Sequence, residues 1–158
     1  LGICLGLQMG VIEFSRHVLN LAEANSEEMD KNTPHLVIGL MEDQKDLKEM
    51  GGTMRLGAWD CELKENSKLA QIYGSTSISE RHRHRYEVNN SYVEDLEKNG
   101  MLCTGKNPKT GLVETIELEN HPWFVGVQFH PEYKSTVATP HPLFLGFIEA
   151  AKKFHKKQ

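Results

Sequence analysis

A chain of 158 residues, 39% hydrophobic and 25% charged, is long enough to bury one core and is most simply a single unit. Its net charge of −4, with one short basic run, argues against nucleic acid as the main partner, and no stretch approaches the roughly 18 consecutive apolar residues of a membrane span. Three widely spaced cysteines, Cys4, Cys61 and Cys103, exclude a fully paired disulfide framework and suit a reducing, cytoplasmic setting.

The first residues, Leu1-Gly2-Ile3-Cys4-Leu5-Gly6-Leu7-Gln8, read as an apolar strand end, a cysteine between two glycines, and the start of a helix. Gly-x-Cys-x-Gly is the cysteine form of a nucleophile elbow, a sharp strand-to-helix bend whose glycines let the flanking chains approach closely. Helix N-terminal N–H groups aimed at such a cysteine favour its thiolate and, later, a tetrahedral oxyanion. A cysteine in this setting also serves as a small packing residue, so Cys4 needs a base elsewhere. An elbow belongs in the middle of an α/β sheet. The start at Leu1 is therefore read as a break within a longer protein, residues 1–158 being the C-terminal part of a domain whose upstream strands are missing.

Leu7, Val11, Phe14, Val18 and Leu21 recur at helical spacing and predict a helix from Leu7 to about Leu21. Residues 23–34 are polar and read as a loop, residues 36–41 as a buried strand, and 42–49 as a charged connection into the glycine-punctuated start of another strand at 51–57. Ser67 to Tyr73 predicts a short helix ended by Gly74. If residues 81–88 form one strand, Arg81, Arg83 and Arg85 share one face and His82, His84 and Tyr86 the other. Ser91 is placed to cap a helix running to Lys98, with Glu94 at the capping-box position. Strands are expected near 101–105, 112–118 and 123–129, and a closing helix with a basic end at 143–154.

The strand at 123–129 ends in Phe129-His130-Pro131-Glu132. A histidine at the carboxyl end of a strand lies where open α/β sheets place their ligands. Glu132 can fold back onto one ring nitrogen while the other faces Cys4, a nucleophile–base–carboxylate set. An isolated His-x-Glu is usually structural; joined with Gly-x-Cys-x-Gly in one chain, it points to catalysis. The alternation His82-x-His84 also suggests a metal chelate, but no third ligand stands at recognisable spacing, and no metal is expected. Cys61 and Cys103 read as packing residues.

Gly-Ile-Cys-Leu-Gly and Phe-His-Pro-Glu together resemble the triad-type glutamine amidotransferases, which hydrolyse glutamine and pass ammonia to a synthetase. Val11-Ile12-Glu13-Phe14-Ser15-Arg16, Gly-Gly-Thr-Met-Arg-Leu-Gly at 51–57, Glu-Arg-His-Arg-His-Arg-Tyr-Glu-Val-Asn at 80–89 and His-Pro-Trp-Phe-Val at 121–125 are similar to the amidotransferase domain of the CTP synthase family. The resemblance implies an open, mainly parallel α/β sheet flanked by helices, flavodoxin-like. It makes Cys4 the nucleophile and His130 and Glu132 its partners, with the backbone N–H of Leu5 as one oxyanion donor. Gly6, Leu7, Gln8, Glu28 and Arg85 would complete a site for L-glutamine. For the whole enzyme it implies a ligase reaction, ATP-dependent amination of UTP to CTP in a synthetase domain requiring Mg²⁺, GTP as activator, and a homotetramer. No cofactor is assigned to this chain. The glycine-rich loop that supplies the second oxyanion donor in the family is absent from the sequence. Another triad amidotransferase, a γ-glutamyl hydrolase or a catalytically inactive docking module are the alternatives.

Overall fold

The computed structural model describes residues 1–40 and 54–156. Met41, the charged connection at 42–49 and Gly51-Gly52-Thr53 lie outside the described residues. The described strands are β1 (Gly2–Ile3), β2 (Asn25–Ser26), β3 (Leu36–Leu40), β4 (Arg55–Leu63), β5 (Ser77–His84), β6 (Tyr86–Val88), β7 (Met101–Lys106), β8 (Val113–Leu118) and β9 (Val125–Val127). The α-helices are α1 (Leu5–His17), α2 (Lys68–Tyr73), α3 (Val93–Lys98) and α4 (Pro142–His155).

A six-stranded sheet runs in the order β1-β9-β8-β7-β4-β5, and a three-stranded sheet in the order β2-β3-β6. Helices flank the sheets, so the α/β class stands, but the sheet is mixed rather than mainly parallel. Among the described strands only β1–β9 and β2–β3 are parallel pairs. The links from β7 to β8 and from β8 to β9 are short, and a short link joins strands antiparallel, whereas a parallel pair needs a crossover.

Two apolar clusters hold these elements. Leu7, Val11, Ile12 and Phe14 of α1 pack with Val37 and Ile38 of β3, Val88 of β6, Leu96 of α3 and Ile116 of β8. A second cluster joins Cys61 and Leu63 of β4, Leu69 of α2, Val125 and Val127 of β9, Phe129 and Leu143 of α4. Val125 and Val127 thus serve one cluster, while Gly126 between them lies under α1. A Cβ there would stand 2.7 Å from Ile116 Cγ1 and 3.3 Å from Leu7 Cβ, so glycine lets the helix sit close to the strand.

Several boundaries differ from the sequence expectation. Helix α1 ends at His17, not Leu21, and Asn20 takes a positive φ of 59° in the turn that follows. Residues 81–88 do not form one strand. They bend at Arg85, with β5 in the large sheet and β6 in the small one. Within β5 the alternation holds: His82 and His84 are buried while Arg81 and Arg83 are exposed. Asn89, rather than Ser91, supplies the cap before α3, its side chain accepting from Ser91 N–H ahead of a 3-10 turn. The ladder of β9 covers only Val125–Val127. Helix α2 begins and ends as expected. Ser67 Oγ accepts from Ala70 N–H, and Gly74 closes it. The carboxylate of Glu117 on β8 adds bonds from Lys68 and Leu69 N–H, a negative charge at a helix N-terminus. No helix among the described residues is long and apolar enough to cross a membrane.

Candidate active site

The bend after β1 puts Cys4 at the N-cap of α1 with φ 50° and ψ −103°. A non-glycine residue there carries strain of about 1–3 kcal/mol, which the surroundings must hold in place. They do so through the backbone: Cys4 N–H donates to Val127 O at 2.8 Å, while Leu7 and Gln8 N–H return to Cys4 O. The two flanking glycines differ in role. A Cβ on Gly2 would lie 2.6 Å from the carbonyl carbon and oxygen of Gly6, whereas one on Gly6 would meet nothing within 4 Å. Close approach of strand to helix thus demands glycine at position 2 alone.

Burial pushes the Cys4 thiol above its ordinary pKa, and the charges of Glu87 and Glu132 add to this. The Leu5 backbone N–H and the Gln128 side chain pull in the other direction. The Leu5 N–H at the helix start favours the thiolate, as the sequence suggests, but desolvation is the larger effect and the thiol stays raised. Deprotonation calls for a base.

His130 leaves the carboxyl end of β9, the strand adjacent and parallel to the one that carries Cys4. Its Nδ1 lies 2.6 Å from Glu132 Oε1, and its Nε2 is buried without a hydrogen-bond partner. A carboxylate at Nδ1 fixes the proton there and leaves Nε2 as an acceptor. The turn bearing Glu132, a 3-10 segment at Pro131–Lys134, is tied to β5. His130 N–H donates to Arg81 O, and Lys134 Nζ donates to Ser79 O and lies 3.5 Å from Glu80 Oε2.

The residues expected at a glutamine site are only partly gathered by observed contacts. Leu5 and Gly6 are exposed on the first turn of α1, while the Leu7 side chain is fully buried, leaving its backbone for any ligand. Gln8 is buried, its Nε2 donating to Tyr86 O at 2.9 Å and to Gln128 Oε1 at 3.2 Å. Arg85 is half-buried at the bend immediately before Tyr86. Glu28 is exposed in the turn after β2, its own N–H bonded to Ser26 Oγ. Its neighbour Glu27 is the carboxylate that turns back onto β3, accepting from Leu40 N–H at 3.0 Å.

Two features escaped the sequence. Gln128, fully buried, donates from Nε2 to Cys4 Sγ at 3.6 Å. Its place immediately before Phe129-His130 was the available signal. A buried ionic cluster also stands beside the elbow. Arg55 Nη1 donates to Glu87 Oε1 at 2.9 Å and Nη2 to Glu114 Oε1 at 2.7 Å. His82 Nδ1 and His84 Nε2 share a hydrogen bond of 2.7 Å, and His84 Nδ1 faces Tyr86 O at 3.2 Å. The His82–His84 pair thus engages itself and the backbone with nitrogens that a chelate would need, and among the described residues no group of three or more His, Cys, Asp or Glu side chains is arranged to hold a metal ion. One guanidinium neutralises one carboxylate, so the other carboxyl keeps its proton. Burial pushes Glu87 up to about 8 and raises Glu114 as well, while the two imidazoles are held neutral, down to about 2 for His82 and about 3 for His84.

The profile of the family described as Glutamine amidotransferase class-I matches residues 1–150. The chain belongs to that family. Among curated proteins, this class-I amidotransferase chain is 66% identical over 158 residues to a CTP synthase of Christiangramia forsetii, covering 100% of this chain and 29% of that protein. It is 62% identical over 156 residues to a CTP synthase of Flavobacterium johnsoniae, covering 99% and 29%. Among solved structures it is similar to the glutaminase domain of Trypanosoma brucei CTPS with bound acivicin, with a TM-score of 0.89 and 43% identity over 96% of this chain and 59% of that one. The chain thus spans less than a third of the length of these curated relatives. Among the described strands, the one that pairs in parallel with β1 is β9, which ends three residues before His130.

Proposed function

We propose that this amidotransferase chain is the glutaminase part of a CTP synthase, hydrolysing L-glutamine and releasing ammonia for the amination of UTP. The observation that supports it most is the pairing of β1 with β9. It brings an N-cap cysteine and a histidine already committed at Nδ1 to a carboxylate to the same edge of the sheet.

In this reading His130 Nε2 takes the Cys4 proton as the sulfur attacks the carboxamide carbon of the substrate. The Leu5 N–H donates to the oxyanion that forms, and Glu132 holds the imidazolium through Nδ1–H. The imidazolium then protonates the departing ammonia, leaving a thioester between Cys4 and the glutamyl group. A water, deprotonated by the same Nε2, cleaves that thioester to glutamate and restores the thiol. Arg85 suits the α-carboxylate by its planar fork, and Gln8 and Glu28 suit the α-ammonium as acceptors. Both Gln8 N–H bonds are spent inside the protein, so its Oε1 is the atom left for a ligand. UTP, ATP, Mg²⁺ and GTP belong, in this reading, to the rest of a cytoplasmic, tetrameric enzyme, and no step here runs through them.

The test is Cys4→Ala in the full-length protein. Glutamine-dependent CTP formation is expected to vanish while synthesis from added ammonia persists. Retained glutamine-dependent synthesis would overturn the reading.

A further inference from the structure

The side-chain amide of Gln128 is held in one orientation by a chain of hydrogen bonds that ends on a backbone carbonyl. Tyr86 O can only accept, so the Gln8 atom 2.9 Å away is its nitrogen. The same nitrogen lies 3.2 Å from the Gln128 side chain, which must therefore present its oxygen to Gln8. The remaining atom, Nε2 of Gln128, is then the one that faces Cys4 Sγ at 3.6 Å. Neither amide can flip without setting donor against donor or acceptor against acceptor in a buried site.

We propose that Gln128 is a catalytic residue of this site, a fixed N–H donor to the Cys4 sulfur that stabilises the thiolate during its attack and as the leaving group when the thioester is cleaved. The proposal rests on Cys4 being the nucleophile. A donor is worth most against a charged acceptor, so it favours the thiolate over the thiol. The site has need of it. Glu87 on β6 and Glu132 after β9 both disfavour negative charge on the sulfur, and burial does so more strongly. The favourable groups are the Leu5 N–H and this amide. Of these the Gln128 amide alone is anchored on a different strand, β6, through Gln8 and Tyr86 O. It thus couples the bend next to Arg85 to the state of the nucleophile.

The experiment uses the full-length protein and two variants, Gln128→Met, which keeps length without a donor, and Gln128→Glu, which keeps the shape and adds an acceptor. The pH profile of Cys4 alkylation by iodoacetamide, followed by peptide mass mapping, should shift to higher pH by about one unit in Gln128→Met and further in Gln128→Glu. Glutaminase kcat/KM should fall about tenfold or more, with ammonia-dependent synthesis retained as the sign of an intact fold. An unshifted alkylation profile in both variants would overturn the proposal even if glutaminase activity fell. Active Cys4→Ala protein would instead overturn the functional reading on which it stands.

Discussion

Glu87→Gln isolates the proton held in the buried cluster. Glu87 is 2% exposed and shares Arg55 with Glu114. Its carboxyl is raised from 4.5 to about 8 by burial. The folded protein therefore keeps a proton that the unfolded chain releases above about pH 4.5. That contribution to stability is complete below pH 4.5 and is lost as pH rises through 8. Between about pH 6.5 and 9 it removes about 2 kcal/mol, at 1.36 kcal/mol per unit of differential protonation. Glutamine mimics the protonated carboxyl and does not titrate, so the stability of the variant relative to the native protein should rise by about 2 kcal/mol between about pH 6.5 and 9. His82 and His84 act with the opposite sign. Held neutral in the fold, they contribute stability that is present above about pH 6.5 and lost as pH falls below it, in both proteins alike. Urea unfolding followed by tryptophan fluorescence measures this, because Trp59 lies against the Arg55 guanidinium at 4.6 Å. A variant that loses 3–5 kcal/mol at pH 9 would mean that Glu87 is a charged partner of Arg55. A flat profile for Glu114→Gln with an unchanged one for Glu87→Gln would move the proton to the other carboxyl. Either result refutes the reasoning.

Gly2→Ala should lower stability by about 1–3 kcal/mol, because its Cβ meets the backbone of Gly6, which has no side-chain freedom to yield. Thermal unfolding should show the loss, and Gly6→Ala, with open space around its Cβ, should cost markedly less. Arg85→Lys should raise KM for glutamine more than it lowers kcat, since lysine keeps the charge and loses the two-point contact with a carboxylate. Steady-state kinetics with an unchanged KM would remove Arg85 from the substrate site.

Local order was legible in the residues wherever one turn or one strand face decides it. The bend at Cys4, the Ser67 and Gly74 ends of α2 and the buried His82 and His84 follow from capping and from the two-residue strand period. The contact of His130 with Glu132 was legible because the two positions are two residues apart, and the ring and carboxylate meet at 2.6 Å. Pairing and burial were not legible in this way. Nothing in Arg81-His82-Arg83-His84-Arg85-Tyr86 announces that the chain leaves one sheet for another at Arg85; that depends on β3, whose antiparallel register with β6 captures Tyr86–Val88. Strand β8 hides its charges likewise. Nothing in its local pattern singles out Glu114 and Glu117, which are buried, one on Arg55 and one on the start of α2. Gln128 gained a role only when β1 lay beside β9. An ionised or hydrogen-bonding side chain takes its character from partners far along the chain, and only tertiary packing decides which partners those are and how much water remains around them.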